Sequence, residues 1–197
     1  GKALLTFSGG DGVLSTLIGM SQGNILREID PDVYSKAAYL LTITGWMTFR
    51  LTGELRDAVG SIVGVYPLDV KTGKWQGMGA LWKMMGFRRE MLPEPVQAGQ
   101  ELGRLTPRAA EETGLPAGLP LIAVGGDKQA EVLGAGVTPA SGNVGQISMG
   151  TGTSLTVVRR KLKNSMTFRW IATSAAQPYT YSHEYMVFRG FWTWTWF

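Results

Sequence analysis

An α/β fold is the class this sequence predicts, on three observations. The apolar run "LPLIAVGG" at 119 to 126 has the length and composition of a buried strand, and a short helix follows it from Lys128. Residues 32 to 51 place Val33, Ala37, Leu40, Leu41, Ile43, Met47 and Leu51 near the i, i+3, i+4 spacing of an amphipathic helix. Two β-prone runs in "VGQISMGTGTSLTVV", at 144 to 158, are joined by "GTG" at 150 to 152 and read as a hairpin.

The remaining elements follow from local chemistry. From Gly1 to Gly23 small residues dominate, and "SGGDG" at 8 to 12 is a loop in which Asp11 is a turn residue. Pro31 and Gly53 bracket the first helix in the order that starts and stops one. "SIVGVYPLDVKTGKW" at 61 to 75 mixes β-branched residues with turn formers, and "KTGK" marks its turn. A second helix is expected over Met78 to Met85, after which Pro93 and Pro95 impose an extended passage. In "TPRAAEETG" Thr106 stands as N-cap, Pro107 takes the first helical position and Gly114 is the stop. "TPASGN" at 138 to 143 is a turn-forming linker and the expected boundary between domains at 1–138 and 139–197. The tail "FRGFWTWTWF" is too aromatic to be left in water, so it is expected to pack against protein outside these residues.

Composition narrows the function classes. The 197 residues carry 19 basic and 15 acidic side chains, a net charge of +4 with no long basic run, which does not indicate a nucleic-acid partner. Without Cys there is neither a disulfide framework nor a thiolate metal site, and the single His183 rules out a cluster of His ligands, so no metal-binding residue is assigned. No stretch resembles a signal peptide and no apolar run reaches the roughly 20 residues of a membrane span. The expectation is a soluble, cytoplasmic protein. "RRKLKN" at 159 to 164 reads as a solvated turn, and the neighbours His183 and Glu184 point differently in any regular element, so neither motif is assigned chemistry.

Two loops remain. Asp127 stands where the strand at 119 to 126 ends, the end of a strand at which open α/β sheets bind ligands. Its carboxylate can cap the helix that follows, or it can take a proton from a bound hydroxyl that Gly125 and Gly126 allow to come close. In "SMGTGTS" the turn can be a plain hairpin, or Gly150 and Gly152 can open backbone N–H groups to phosphate oxygens while Thr151, Thr153 and Ser154 add hydroxyls. No "GK[ST]" follows, so this is not a P-loop.

With both loops in place the sequence resembles the FGGY carbohydrate kinases, which include xylulokinase and glycerol kinase. The resemblance is carried by "RLTGEL" at 50 to 55, "LDVKTGKW" at 68 to 75, "GRLTPRAAEETGLPAGLPLIAVGGDKQAEVLGAGV" at 103 to 137, "VGQISMGTGTSLTVV" at 144 to 158 and, more loosely, "RGFWTWTWF" at 189 to 197. It implies an actin-like (ribonuclease H-like) ATPase fold of two domains with sugar and ATP in the cleft, of which this chain holds the end of the first domain and the beginning of the second. It also implies that Asp127 is the general base and that Gly150, Thr151, Gly152 and Thr153 hold the terminal phosphates of ATP, with Mg2+ present. Residues beside the base contact the sugar in such enzymes, which makes Gly126 and Lys128 substrate-site candidates; relatives commonly carry Asn or Gln at the second position.

Three departures accompany the likeness. Members begin with a strand and an Asp-Gly-Thr loop that binds phosphate and Mg2+, they continue past the Trp-rich motif to a Gly-rich adenosine-binding segment, and they show Asp-Ala-Ser near Ser61 to Val63. The chain therefore reads as the middle of a kinase, with little activity expected of it alone. The expected activity of the whole is transfer of the γ-phosphate of ATP to a hydroxyl of a small sugar or polyol, a pentulose such as xylulose being favoured, with a homodimer as the assembly considered. The competing expectation is a non-catalytic remnant that binds a sugar or a partner protein.

Overall fold

The computed structural model describes residues 18–63, 66–77, 79–150, 152–163, 170–187 and 190. The "SGGDG" loop, Thr151 and all of the aromatic tail except Gly190 lie outside them. Two short helices come first, α1 (Gln22–Ile29) and α2 (Pro31–Lys36), and Asp30 serves both. Its N–H donates to the Leu26 carbonyl at 2.9 Å and ends α1, while its carboxylate accepts the Val33 N–H at 3.0 Å and starts α2.

The continuous helix expected over 32 to 51 is not formed. The chain turns extended at Ala37, with ψ 116, and becomes helical again only as α3 (Ile43–Thr52). Backbone groups that an unbroken helix would consume are used elsewhere: the Ala37 carbonyl accepts the Arg88 guanidinium at 2.8 Å and the Leu40 N–H donates to the Met91 carbonyl at 2.7 Å. Thr42 then starts α3 by accepting the Gly45 N–H at 3.1 Å, and Gly53 ends it with φ 79.

From α3 the chain enters β1 (Arg56–Ala58) and a 3-10 turn at Val59–Ser61. A hairpin follows, β2 (Leu68–Asp69) and β3 (Lys74–Trp75), turned at "KTGK" with Gly73 at φ 63, and then α4 (Gly79–Met84) where the second helix was expected. The extended passage at Pro93 and Pro95 becomes β4 (Glu94–Val96), which lies parallel to β1. This long crossover is what parallel pairing requires. Trp82, Phe87 and Leu92 form the buried cluster beneath it, with Tyr66 stacked on Phe87 at 5.3 Å between centroids.

Next come β5 (Glu101–Arg104), α5 (Pro107–Thr113) and β6 (Pro120–Ile122), with β5 and β6 antiparallel. Helix α5 has the ends the sequence predicts: Thr106 accepts the Ala109 N–H at 3.2 Å, and Gly114 closes it at φ 75. The buried strand expected over 119 to 126 shrinks to three residues and is largely exposed. Ile122 is 45% and Val124 40% exposed, whereas Ala123, at 1%, joins Ala58, Val96 and Leu102 in a small core. Strand β6 pairs only with β5 among the described residues, and Ile122 and Val124 line an open groove beside α3 instead of a closed core.

Helix α6 (Asp127–Gly134) leads through a 3-10 turn at Pro139–Ser141 into a four-stranded antiparallel sheet. Its strands are β7 (Gln146–Met149), β8 (Thr153–Arg159), β9 (Ile171–Ser174) and β10 (Tyr181–Val187), in the order β7-β8-β10-β9. Strands β7 and β8 form the expected hairpin across residues 150 to 152. Val132 and Val137 pack on Val158 and Ala175 to hold α6 to the sheet. His183 is buried in β10, its Nε2 accepts the Lys163 N–H at 3.0 Å, and burial, with Arg159 and Lys163 nearby, pushes its pKa down.

A carboxylate joins α3 to β1. Asp57 is fully buried, and it accepts the hydroxyls of Thr42 and of Thr44 (2.8 Å) and the Ala58 N–H at 2.8 Å. Burial nevertheless raises its pKa above the ordinary 3.8, with those hydrogen bonds opposing the shift. Asp57→Ala is expected to cost about 2–4 kcal/mol, because it strands two hydroxyls and an amide. The raised folded pKa means that the native state binds the proton more tightly than the unfolded chain. Asp57 therefore stabilises most below pH 3.8, and the wild type should lose ground to Asp57→Asn as pH rises from there, measured by paired denaturant titrations.

Candidate active site

The Asp127 carboxylate occupies the first position of α6, not the cap. Gly126 is the N-cap and, lacking a side chain, makes no capping bond, while Asp127 Oδ1 accepts the Lys128 N–H at 2.8 Å. The expectation that Asp127 caps a helix starting at Lys128 is corrected by one residue. Asp127 is exposed, and its Oδ1 is held by a single neighbouring backbone amide.

The two glycines before it are filled spaces. A Cβ on Gly125 would stand 2.9 Å from the Cβ of Gln129, and one on Gly126 would stand 3.0 Å from Gln129 Oε1. The buried Gln129 folds back over the pair and reaches Thr173 on β9 at 3.5 Å. An open, mostly aliphatic groove of about 250 Å³ ends at this loop, lined by Ile43, Met47, Leu51, Leu121, Val124 and Gly125 among others, with Asp57 at its wall.

Lys128 turns toward the hairpin. Its ammonium lies 3.1 Å from Glu131 and donates to the hydroxyl of Ser148 on β7. Glu131 also accepts the Gln146 side-chain amide at 2.6 Å and the Ser148 hydroxyl at 3.3 Å. Four side chains thus clasp the helix that begins with Asp127 to the strand that runs into the glycine turn. Hydrogen bonding from Lys128, then from Ser148, holds the Glu131 carboxyl below its ordinary 4.5. The i, i+3 spacing of Lys128 and Glu131 was readable in the sequence, but Ser148 and Gln146 carried no signal.

In the turn itself, Met149 and Thr153 close the hairpin and the Gly150 N–H donates to the Gly152 carbonyl at 2.9 Å. That amide is therefore engaged within the turn. The exposed Gly152 and the half-buried Thr153 hydroxyl beside it are neutral groups with no carboxylate among them, a chemistry suited to phosphate oxygens. Among the described residues no group of three or more His, Asp or Glu could hold a metal ion, and no helix is long and apolar enough to cross a membrane.

The mixed α/β segment has the actin-like ATPase fold of its structural neighbours. It superposes on a xylulose kinase from Brucella ovis with a TM-score of 0.80 at 19% identity, covering 94% of this chain and 39% of that one. For the xylulose kinase of Rhodospirillum rubrum the values are 0.78 and 21%, over 89% and 35%. The family model for the N-terminal domain of FGGY carbohydrate kinases matches residues 15–134, and the chain belongs to that family. It is 35% identical over 168 residues to the "Uncharacterized sugar kinase YgcE" of Escherichia coli (strain K12), covering 85% of this chain and 33% of that protein. With the autoinducer-2 kinase of Klebsiella pneumoniae it shares 38% identity over 110 residues, 56% of this chain and 20% of that protein. The chain thus spans a third or less of the two sugar-kinase relatives matched by sequence.

Breaking the clasp should be felt locally. Glu131→Gln is expected to speed hydrogen exchange across Gln146–Met149 while leaving α5 unchanged. A carboxylate with a lowered pKa contributes above its ordinary 4.5 and is lost as pH falls through the folded value. Acidification below pH 4.5 should therefore reproduce the variant's exchange pattern in the wild type.

Proposed function

We propose that the protein carrying this chain phosphorylates a hydroxyl of a small sugar or polyol at the expense of ATP, with Asp127 as general base. The observation that supports this most is the placement of Asp127: an exposed carboxylate at the start of α6, on a helix tied by Lys128 and Glu131 to the strand entering the Gly150–Gly152 turn. Asp127 takes the proton of the acceptor hydroxyl, whose oxygen bonds to the γ-phosphorus as the bond to the β–γ bridging oxygen breaks and ADP departs. ATP, bound with Mg2+, would supply the phosphoryl group, and the ion would neutralise its charge. The turn from Gly150 to Thr153 orients the terminal phosphates through backbone N–H groups and hydroxyls. Gly126 and Lys128 border the acceptor, and 139–197 begins the nucleotide-side domain.

The acceptor class follows the family, whose relatives and structural neighbours are named for xylulose, glycerol, gluconate and autoinducer-2. A pentulose such as xylulose is the substrate we favour. Asp127→Ala, made in the protein that carries this sequence, should lower sugar-dependent ADP release at least about 100-fold with KM for ATP little changed. Near-normal turnover in that variant, across a panel of pentuloses and polyols, removes Asp127 from the base role.

A further inference from the structure

The start of α6 lacks every usual intrahelical cap. Gly126 has no side chain to offer, and the third helical residue, Gln129, reaches toward Thr173 on β9 instead of closing a capping box on the Gly126 N–H. The Gly126 N–H donates at 3.3 Å to the carbonyl of Gly60, a residue 66 positions earlier in the 3-10 turn that follows β1.

Gly60 is a glycine for steric reasons. Its φ is not among the positive values, so its backbone conformation is open to any residue. A Cβ there would stand 3.0 Å from the Gly125 Cα, 3.4 Å from the Ser174 carbonyl oxygen and 3.6 Å from that of Val124. All three neighbours are backbone and cannot swing aside as a side chain would. The turn after β1, the loop before Asp127 and the end of β9 therefore meet at a point where a methyl is accommodated only if the Gly125 backbone gives way by tenths of an ångström. The turn is itself anchored, since the Ala58 N–H is held by buried Asp57.

We infer that Gly60 is the positioning residue for the base: its carbonyl holds the residue before Asp127, and its missing side chain sets how closely the base loop approaches the rest of the fold. The inference rests on Asp127 acting as that base. A methyl at Gly60 would push the loop back by tenths of an ångström, and displacement of a reacting group on the ångström scale costs up to about 100-fold in rate.

The test pairs Gly60→Ala with Gly134→Ala, a substitution on α6 with nothing within 4 Å of the added atom. In Gly60→Ala the Gly126 amide should exchange at least about 10-fold faster while Ala130 to Val132 keep their protection, a local loss that general destabilisation does not produce. Sugar-dependent ADP release should show kcat down about 10- to 100-fold with KM for the sugar within about 3-fold. Gly134→Ala should change neither reading. Unchanged Gly126 exchange, or faster exchange spread evenly along α6, overturns the inference; so does normal kcat in Gly60→Ala where Asp127→Ala is inactive. If Asp127→Ala is itself active, the base reading fails and exchange alone judges the Gly60 contact. Should Gly60→Ala fail to fold, protection of Gly126 relative to Gly125 in the unaltered protein decides, and equal exchange overturns the contact.

Discussion

The buried carboxylate of Asp57 is the constraint on which the rest of the site depends. It gathers the Thr42 and Thr44 hydroxyls at the start of α3 and the Ala58 amide at the end of β1, so one ionisable group fixes a helix and a strand to each other. The turn at Val59–Ser61 leaves from that fixed point and meets the loop before Asp127. Burial favours the protonated form of Asp57, and its hydrogen bonds come from groups on two elements, which makes their mutual position hard to vary. Gly45 belongs to the same arrangement, since a Cβ there would lie 3.1 Å from Asp57 Oδ2.

Local signals in the sequence were read correctly where the structure is local. Thr106, Pro107 and Gly114 bound α5 because caps and stops act within a turn of helix. The hairpin at 144 to 158 formed for the same reason, its two runs and its glycines being adjacent in the chain. Family membership was legible because motif order survives where overall identity is low. What escaped was decided by residues far away. The periodicity over 32 to 51 gave no notice that Arg88 and Met91 would claim the backbone of Ala37 and Leu40, some 50 positions off. The apolar run at 119 to 126 gave no notice of how few neighbours would cover it.

The site divides in the same way. Asp127 could be placed at a strand-to-helix turn from the glycines before it and the helix formers after it, and an error of one residue in the cap is what helix-boundary readings allow. The glycines were read as room for a ligand, whereas much of that room is taken by Gln129. Lys128 was read as a substrate-site candidate, and the sequence did not show that its ammonium donates to Ser148 on β7. Neither Gln129 nor Ser148 stood out in the sequence, because each has its meaning only from the strand it touches.

Many of the buried apolar residues described fall into three small clusters, under the crossover, between β1 and β6, and between α6 and the four-stranded sheet. Stability in such a molecule is divided among cooperative units instead of being a single property of the chain. Heating would release them at different temperatures, so the calorimetric enthalpy of this segment would exceed the van't Hoff value from any one probe. The unit joining α6 to the sheet is the one whose melting separates the carboxylate from the glycine turn, and it can be lost while the aromatic cluster under the crossover persists.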